Sequence, residues 1–204
     1  MKPGKTIVGL TGVFGAGKST VANLMEELGA EIVDADKLAH EALLEGSSVY
    51  EQAAGKFQEA RQPGSLGLDR KKLADIIFKD EKRRKELEQI VHPYVQERAL
   101  EEVADAESSV VVLEVPLLFE AKFDRFCDLT VTVIAEEKMM DERLIEKGFS
   151  REQITARRKA QFSQEEKAKR ADKVINNSGT LKETKWEVEK IWKDLSPRFD
   201  KGEK

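Results

Sequence analysis

The residues Gly12-Val13-Phe14-Gly15-Ala16-Gly17-Lys18-Ser19 satisfy the phosphate-loop pattern G-x-x-x-x-G-K-[ST] at every fixed position. The pattern has a mechanical basis. Glycines permit positive φ and close backbone approach, so that successive N–H groups and the positive end of a helix dipole converge on a polyphosphate. Lys18 would reach the β and γ phosphates, and the Ser19 hydroxyl would be offered to Mg²⁺. A glycine-rich turn could match by chance, but here an apolar run, Ile7 to Leu10, precedes the loop and a helical pattern, Ser19 to Leu28, follows it. Strand, loop and helix in that order are the setting in which the pattern works.

Carboxylates supply the next chemistry. Asp34 and Asp36 end the run Ile32-Val33-Asp34-Ala35-Asp36. On a strand these two would share a face, one as the base for a nucleophilic hydroxyl and the other near a metal. The plainer reading is that one of them caps a helix starting near Lys37, and Asp34 suits that role better than Asp36. Val110 to Leu113 is an apolar strand ending in Glu114, a candidate water-mediated Mg²⁺ contact. His40 has no nearby partner for a site. His92 directly precedes Pro93, where a helix is expected to break.

The elements that must position these groups follow from the pattern of apolar runs. Short runs at Ile7 to Leu10, Glu31 to Ala35, Val110 to Val115, Leu129 to Ile134 and Lys173 to Ile175 alternate with helical segments. This predicts an α/β fold with a five-stranded parallel sheet between layers of helices. The interval from Asp36 to Ser109 reads as helices over Asp36 to Glu45, Ser48 to Phe57, Asp69 to Phe78, Glu81 to Val91 and Pro93 to Ala104, with a surface loop at Gln62 to Gly67. A crossover needs only about a dozen residues, so the surplus predicts a helical substrate subdomain, about residues 36–108. The core is expected over about 5–35, 109–135 and 171–195. Between Glu136 and Arg170 lie Arg143, Lys147, Arg151, Arg157, Arg158, Lys159, Lys167, Lys169 and Arg170. Balanced by Glu136, Glu142, Glu146, Glu152 and Glu165, they read either as a solvated helical pair or as a mobile lid, about 136–170, that brings arginines onto a transferring phosphate. Thr180 to Leu195 reads as a closing helix, and Ser196 to Lys204 as a frayed end.

Composition narrows the partners. With 204 residues and a formal net charge of -4, the chain suits one sizeable α/β domain and not a nucleic-acid backbone. Its single cysteine, Cys127, excludes an internal disulfide and reads as a small residue at the start of a buried strand. No apolar stretch approaches the ~18 residues of a membrane span, and no signal peptide precedes the phosphate loop, so a cytoplasmic protein without membrane contact is expected.

With these pieces in place the chain resembles the dephospho-coenzyme A kinase family over about Thr6 to Gly179. The resemblance rests on Gly9-Leu10-Thr11-Gly12 through Thr20-Val21-Ala22, Val33-Asp34-Ala35-Asp36 with Ala39-His40, and Leu68-Asp69-Arg70 with Leu73, Phe78 and His92-Pro93. It continues in Val115-Pro116-Leu117-Leu118-Phe119-Glu120, Arg143, Arg157 with Gln161, and Ala171 to Gly179. It implies a three-layer phosphate-loop kinase fold that uses ATP and Mg²⁺ and phosphorylates the ribose 3′-hydroxyl of dephospho-coenzyme A, as a monomer or small homo-oligomer. By the same resemblance Asp36 is the general base, Lys18 and Arg143 act on the migrating phosphoryl group, and Gly15, Ala16, Gly17, Lys18, Ser19 and Thr20 hold ATP. Asn177 and Gly179 would line the adenine pocket, Thr11, Arg70, His92 and the Pro116 to Glu120 segment with Leu117 and Leu118 would serve the acceptor side, and Ser19 and Glu114 the metal. Lys147 stands where the family usually has a second lid arginine, and Gln58 follows Phe57 where Gly is common.

Other functional classes make different demands on the sequence. A nucleoside-monophosphate kinase of the same architecture requires neither Pro116 to Glu120 nor Leu68-Asp69-Arg70. A regulatory GTPase should carry Asn-Lys-x-Asp and Asp-x-x-Gly, and the chain has neither. A non-catalytic nucleotide-binding scaffold would be favoured by loss of Lys18 or Asp36, and both are present.

Overall fold

Every residue of Thr6–Gly12 is buried, as a central strand covered on both faces requires, and this segment forms β1. The computed structural model describes residues 5–62 and 67–195. After β1 come α1 (Lys18–Glu27), β2 (Glu31–Asp34), α2 (Ala35–Glu41), α3 (Tyr50–Lys56), α4 (Arg70–Lys79) and α5 (Glu81–Asp105). They are followed by β3 (Val110–Glu114), β4 (Leu129–Ile134), α6 (Glu137–Glu146), α7 (Arg151–Lys159), α8 (Gln164–Arg170), β5 (Lys173–Asn176) and α9 (Leu181–Leu195). The five expected strands are therefore present within a residue or two of their anticipated limits. They form one sheet in the order β2-β3-β1-β4-β5, with every neighbouring pair parallel.

Alternation along β1 divides the two faces of the sheet. Val8 and Leu10, with Val110, Val112, Val131 and Val133, join Val21, Leu24 and Met25 of α1 and Val188, Ile191 and Leu195 of α9 in one buried cluster. Each fully buried aliphatic side chain there contributes about 1.5–3 kcal/mol. Gly9 and Thr11 point to the opposite face, against Leu118 and the α8 residue Lys167.

The chain separates into two compact units, Ala35–Leu100 and the remainder. Within the helical unit, Asp69 caps α4 by accepting from the Lys71 and Lys72 amides at 3.0 and 3.1 Å. The Arg83 guanidinium lies 4.2 Å from the Phe57 ring centroid and donates to Lys56 O at 2.7 Å, while also pairing with Glu59 and Glu86. Residues 63–66 of the expected Gln62 to Gly67 loop, and all of the expected frayed end from Ser196, lie outside the described residues.

Three expectations are corrected. The helix break at His92-Pro93 does not occur: α5 runs through Pro93 for 25 residues. Leu87, Val91, Val95, Ala99 and Val103 recur every fourth residue and are all buried, a continuous stripe that offsets the ~3 kcal/mol a helix-interior proline costs. Asp34 and Asp36 do not share a strand face, because β2 ends at Asp34 and Asp36 lies in the first turn of α2. Cys127 precedes β4 instead of opening it, and burial, with Asp124, Asp128 and Asp172 nearby, pushes its thiol pKa up to about 12.

Candidate active site

Two glycines shape the turn that leaves β1. Gly15 and Gly17 both have φ of 95°, a region L side chains rarely adopt. A Cβ on Gly17 would sit 2.1 Å from Asn177 Nδ2, and one on Gly15 would sit 2.8 Å from Leu144 Cδ1. Conformation and crowding thus demand glycine at both positions. Gly17 caps α1 without a side-chain hydrogen bond, and the first turn of that helix carries no acidic residue. The positive end of the helix dipole is left without a neighbouring carboxylate in that turn, which suits an anionic ligand. The loop is braced from within by Ala16 N donating to Val13 O at 3.1 Å and Thr20 N to Gly17 O at 3.1 Å. Lys18 Nζ folds back to Gly12 O at 3.2 Å, so the ammonium lies over the loop.

The metal candidates meet at the same end of the sheet. Ser19, exposed in the first turn of α1, donates from Oγ to Glu114 Oε1 at 3.1 Å. Glu114 ends β3 and is paired in register with Asp34, the last residue of β2, so the two carboxylates share a face. The pairing expected between Asp34 and Asp36 is replaced by one between Asp34 and Glu114. Among the described residues no cluster of three or more His, Cys, Asp or Glu could hold a metal alone. A hydroxyl and carboxylates, all hard oxygen donors, fit Mg²⁺, which keeps waters and shares its sphere with substrate phosphates.

Helix α6 brings Arg143 beside the loop. Its Nη2 donates to Asn177 O at 3.1 Å, while its Nη1 is buried without a hydrogen-bond partner, 3.8 Å from where a Cβ on Gly17 would lie. Lys147, at the C-terminal end of the same helix, is exposed. Asn177 is buried and holds the loop by its amide, which donates to Ala16 O at 2.9 Å and accepts from Thr184 Oγ1 at 3.0 Å. Gly179 lies in the turn before α9, where a Cβ would meet the Glu183 carboxylate at 2.3 Å. That carboxylate in turn accepts from the Thr180 amide at 2.7 Å.

Phe14 is a further link, one that no motif in the sequence singles out. Its amide donates to Gln161 Oε1 at 2.9 Å, its carbonyl accepts from Arg158 Nε at 3.3 Å, and its ring meets Phe149 edge-on at 5.1 Å. Arg157 covers both rings, 4.7 Å from Phe14 and 4.8 Å from Phe149. Arg157 and Arg158, two of the charges read either as solvated or as part of a lid, are therefore engaged with the phosphate loop. Lys167 has no exposed surface and pairs with Glu120 at 2.9 Å, outside that loop.

The remaining candidates fall into two groups. Thr11 is buried and donates to Pro116 O at 3.2 Å. Leu118 is fully buried against Gly9, whereas Leu117 is half-buried, so of that pair Leu117 is the one open to solvent. Asp36, Arg70 and His92 belong to the helical unit, where Asp36 and Arg70 are exposed and burial lowers the His92 pKa.

Known proteins resemble this chain in sequence and fold. The dephospho-CoA kinase family model matches residues 6–183. A dephospho-CoA kinase from Aquifex aeolicus is 40% identical over 191 residues, which span 93% of this chain and 97% of that one. Among solved structures, a Thermus thermophilus protein superposes with a TM-score of 0.81 at 38% identity, covering 94% of this chain and 98% of that chain. Dephospho-CoA kinase from Campylobacter jejuni superposes at 0.67 with 27% identity over 95% and 98%. Shikimate kinase from Bacteroides thetaiotaomicron, at 17% identity and a TM-score of 0.52, shares the fold alone. A phosphate loop between β1 and α1, an unpaired arginine donor beside it and a match across most of the chain lead to one conclusion: this protein belongs to the dephospho-CoA kinase family.

Proposed function

We propose that this protein transfers the γ-phosphate of ATP to the ribose 3′-hydroxyl of dephospho-CoA, the final step of coenzyme A synthesis. The family match supports the substrate pair. The single observation that carries the chemistry is Arg143 Nη1, a buried donor without a partner at the phosphate loop. A buried donor left unpaired costs about 1–3 kcal/mol, and a phosphate oxygen in the loop would satisfy it.

In this reading Gly15, Ala16, Gly17, Lys18, Ser19 and Thr20 hold the ATP phosphates, with Lys18 moving from Gly12 O to the β and γ oxygens. Asn177 and Gly179 line the adenine pocket, and Asn177 also fixes the Ala16 carbonyl. Ser19, and Glu114 through water, would hold Mg²⁺, which when bound neutralises charge on the β and γ phosphates. Asp36 accepts the proton of the attacking hydroxyl, as an aspartate in a phosphoryl-transfer site can. Arg70, His92 and the Pro116–Leu117 turn serve the acceptor. Helices α6 to α8 act as the lid, delivering Arg143 and gripping Phe14 through Arg158 and Gln161. The protein works in the cytoplasm as a monomer or small homo-oligomer, and among the described residues no helix is long and apolar enough to cross a membrane.

The deciding experiment measures acceptor-dependent ADP release with dephospho-CoA, AMP, adenosine and dCMP in parallel. Selective turnover of dephospho-CoA is the expected result. Turnover of a nucleoside monophosphate in its place would overturn the proposal.

A further inference from the structure

Lys167 of α8 is used by none of the steps above, yet among the described residues it is the one charged side chain with no exposed surface. Its ammonium donates to Glu120 Oε1 at 2.9 Å and Oε2 at 3.0 Å, to Pro116 O at 2.9 Å and to Thr11 Oγ1 at 3.4 Å. Carboxylate, carbonyl and hydroxyl thus take up all the donors a lysine has. Glu120 Oε1 also accepts from Phe162 N at 2.7 Å, and Thr11 itself donates to Pro116 O at 3.2 Å.

Three separate pieces of chain are joined at this point. Thr11 stands one residue before the phosphate loop, Pro116 and Glu120 bound the turn after β3, and Phe162 and Lys167 belong to the connection between α7 and α8 and to α8 itself. Stability alone is a weak reason for such a pair. The desolvation penalty of two buried charges roughly cancels their attraction, and well-packed apolar residues of similar volume often do as well or better. What an ammonium with fixed partners adds is geometry: it holds the Pro116 carbonyl, the Thr11 hydroxyl and the Glu120 carboxylate in one arrangement. The bonds inside the phosphate loop, Lys18 to Gly12 O, Ala16 to Val13 O and Asn177 to Ala16 O, do not involve it.

We infer that Lys167 and Glu120 are a positioning pair for the acceptor side of the site: they hold the turn that carries Pro116 and Leu117 in its binding shape and tie that shape to α8 at the base of the lid. The inference rests on the proposed assignment of this turn to dephospho-CoA. It follows that disturbing the pair should damage acceptor binding while leaving the nucleotide side intact.

The test compares the natural protein with Lys167→Met, Lys167→Arg and the double variant Lys167→Met/Glu120→Leu, measuring KM for dephospho-CoA and for MgATP separately, with kcat and thermal midpoint. Lys167→Met should raise the dephospho-CoA KM about tenfold or more, as loss of a group that pre-organises a site does, with the MgATP KM within about twofold. Lys167→Arg should recover part of the loss because the charge is kept. If Lys167→Met fails to fold, the double variant, an apolar pair in place of an ionic one, carries the test and should show the same selective KM rise. Unchanged KM for both substrates with only a shifted thermal midpoint would overturn the inference, as would equal rises in both KM values. Absence of any dephospho-CoA turnover in the natural protein would instead sink the proposed function, so the two failures are distinguishable.

Discussion

Replacing Arg143 by alanine should separate catalysis from stability. In the folded protein the side chain makes one hydrogen bond, from Nη2 to Asn177 O at 3.1 Å, and leaves Nη1 buried and unpaired. Losing a charge-assisted bond costs about 1.5–3 kcal/mol, and relieving an unsatisfied buried donor returns about 1–3 kcal/mol. The two nearly cancel, so the thermal midpoint of Arg143→Ala should lie within a few degrees of the natural protein's. The chemical step loses more. Removing one donor that meets charge developing in the transition state costs about 2.7–4 kcal/mol, or ~10² to 10³ in kcat. Lys147→Ala should do less damage, because that ammonium is exposed and lacks the planar fork of a guanidinium, and Lys147→Arg should be tolerated. The assay is acceptor-dependent ADP release at saturating substrates, with MgATP affinity measured directly. Equal and small effects of Arg143→Ala and Lys147→Ala on kcat would refute the role of the lid arginine. So would a loss of activity that merely tracks a loss of folded protein.

Three further outcomes are expected. Lys18→Ala should lose roughly a hundredfold or more in turnover with the fold retained, checked by circular dichroism alongside the assay; near-normal turnover would remove the phosphate-loop role. Asp36→Asn should lower turnover by ~10² to 10⁴ while MgATP still binds, and Asp34→Asn should hurt less, the reverse order moving the base to Asp34. Cys127, with its pKa pushed up to about 12, should react slowly with iodoacetamide in the native protein. Its rate should keep climbing with pH without a plateau below pH ~10, and a plateau near the ordinary thiol pKa of ~8.5 would contradict the burial of that side chain.

What could be read in the chain itself was local. The phosphate loop, the five strands and the alternation with helices are patterns of neighbouring residues, set by backbone freedom at Gly15 and Gly17 and by apolar runs long enough for one strand. Asp36 and Glu114 were visible as acids at the ends of such runs. Tertiary structure decided the rest, because the partners are far apart in sequence and no periodicity connects them. Sheet order put Asp34 beside Glu114, where chain order had suggested Asp36. Packing of the stripe from Leu87 to Val103 carried α5 through Pro93, against the local preference of that residue. Residues 161 positions apart made Asn177 the brace of Ala16, and Gln161 reached Phe14 across 147. In the sequence Lys167 is one more cation among the charges of 136–170; only the fold, by closing α8 over Thr11 and Glu120, takes it out of water and gives its charge a fixed set of partners.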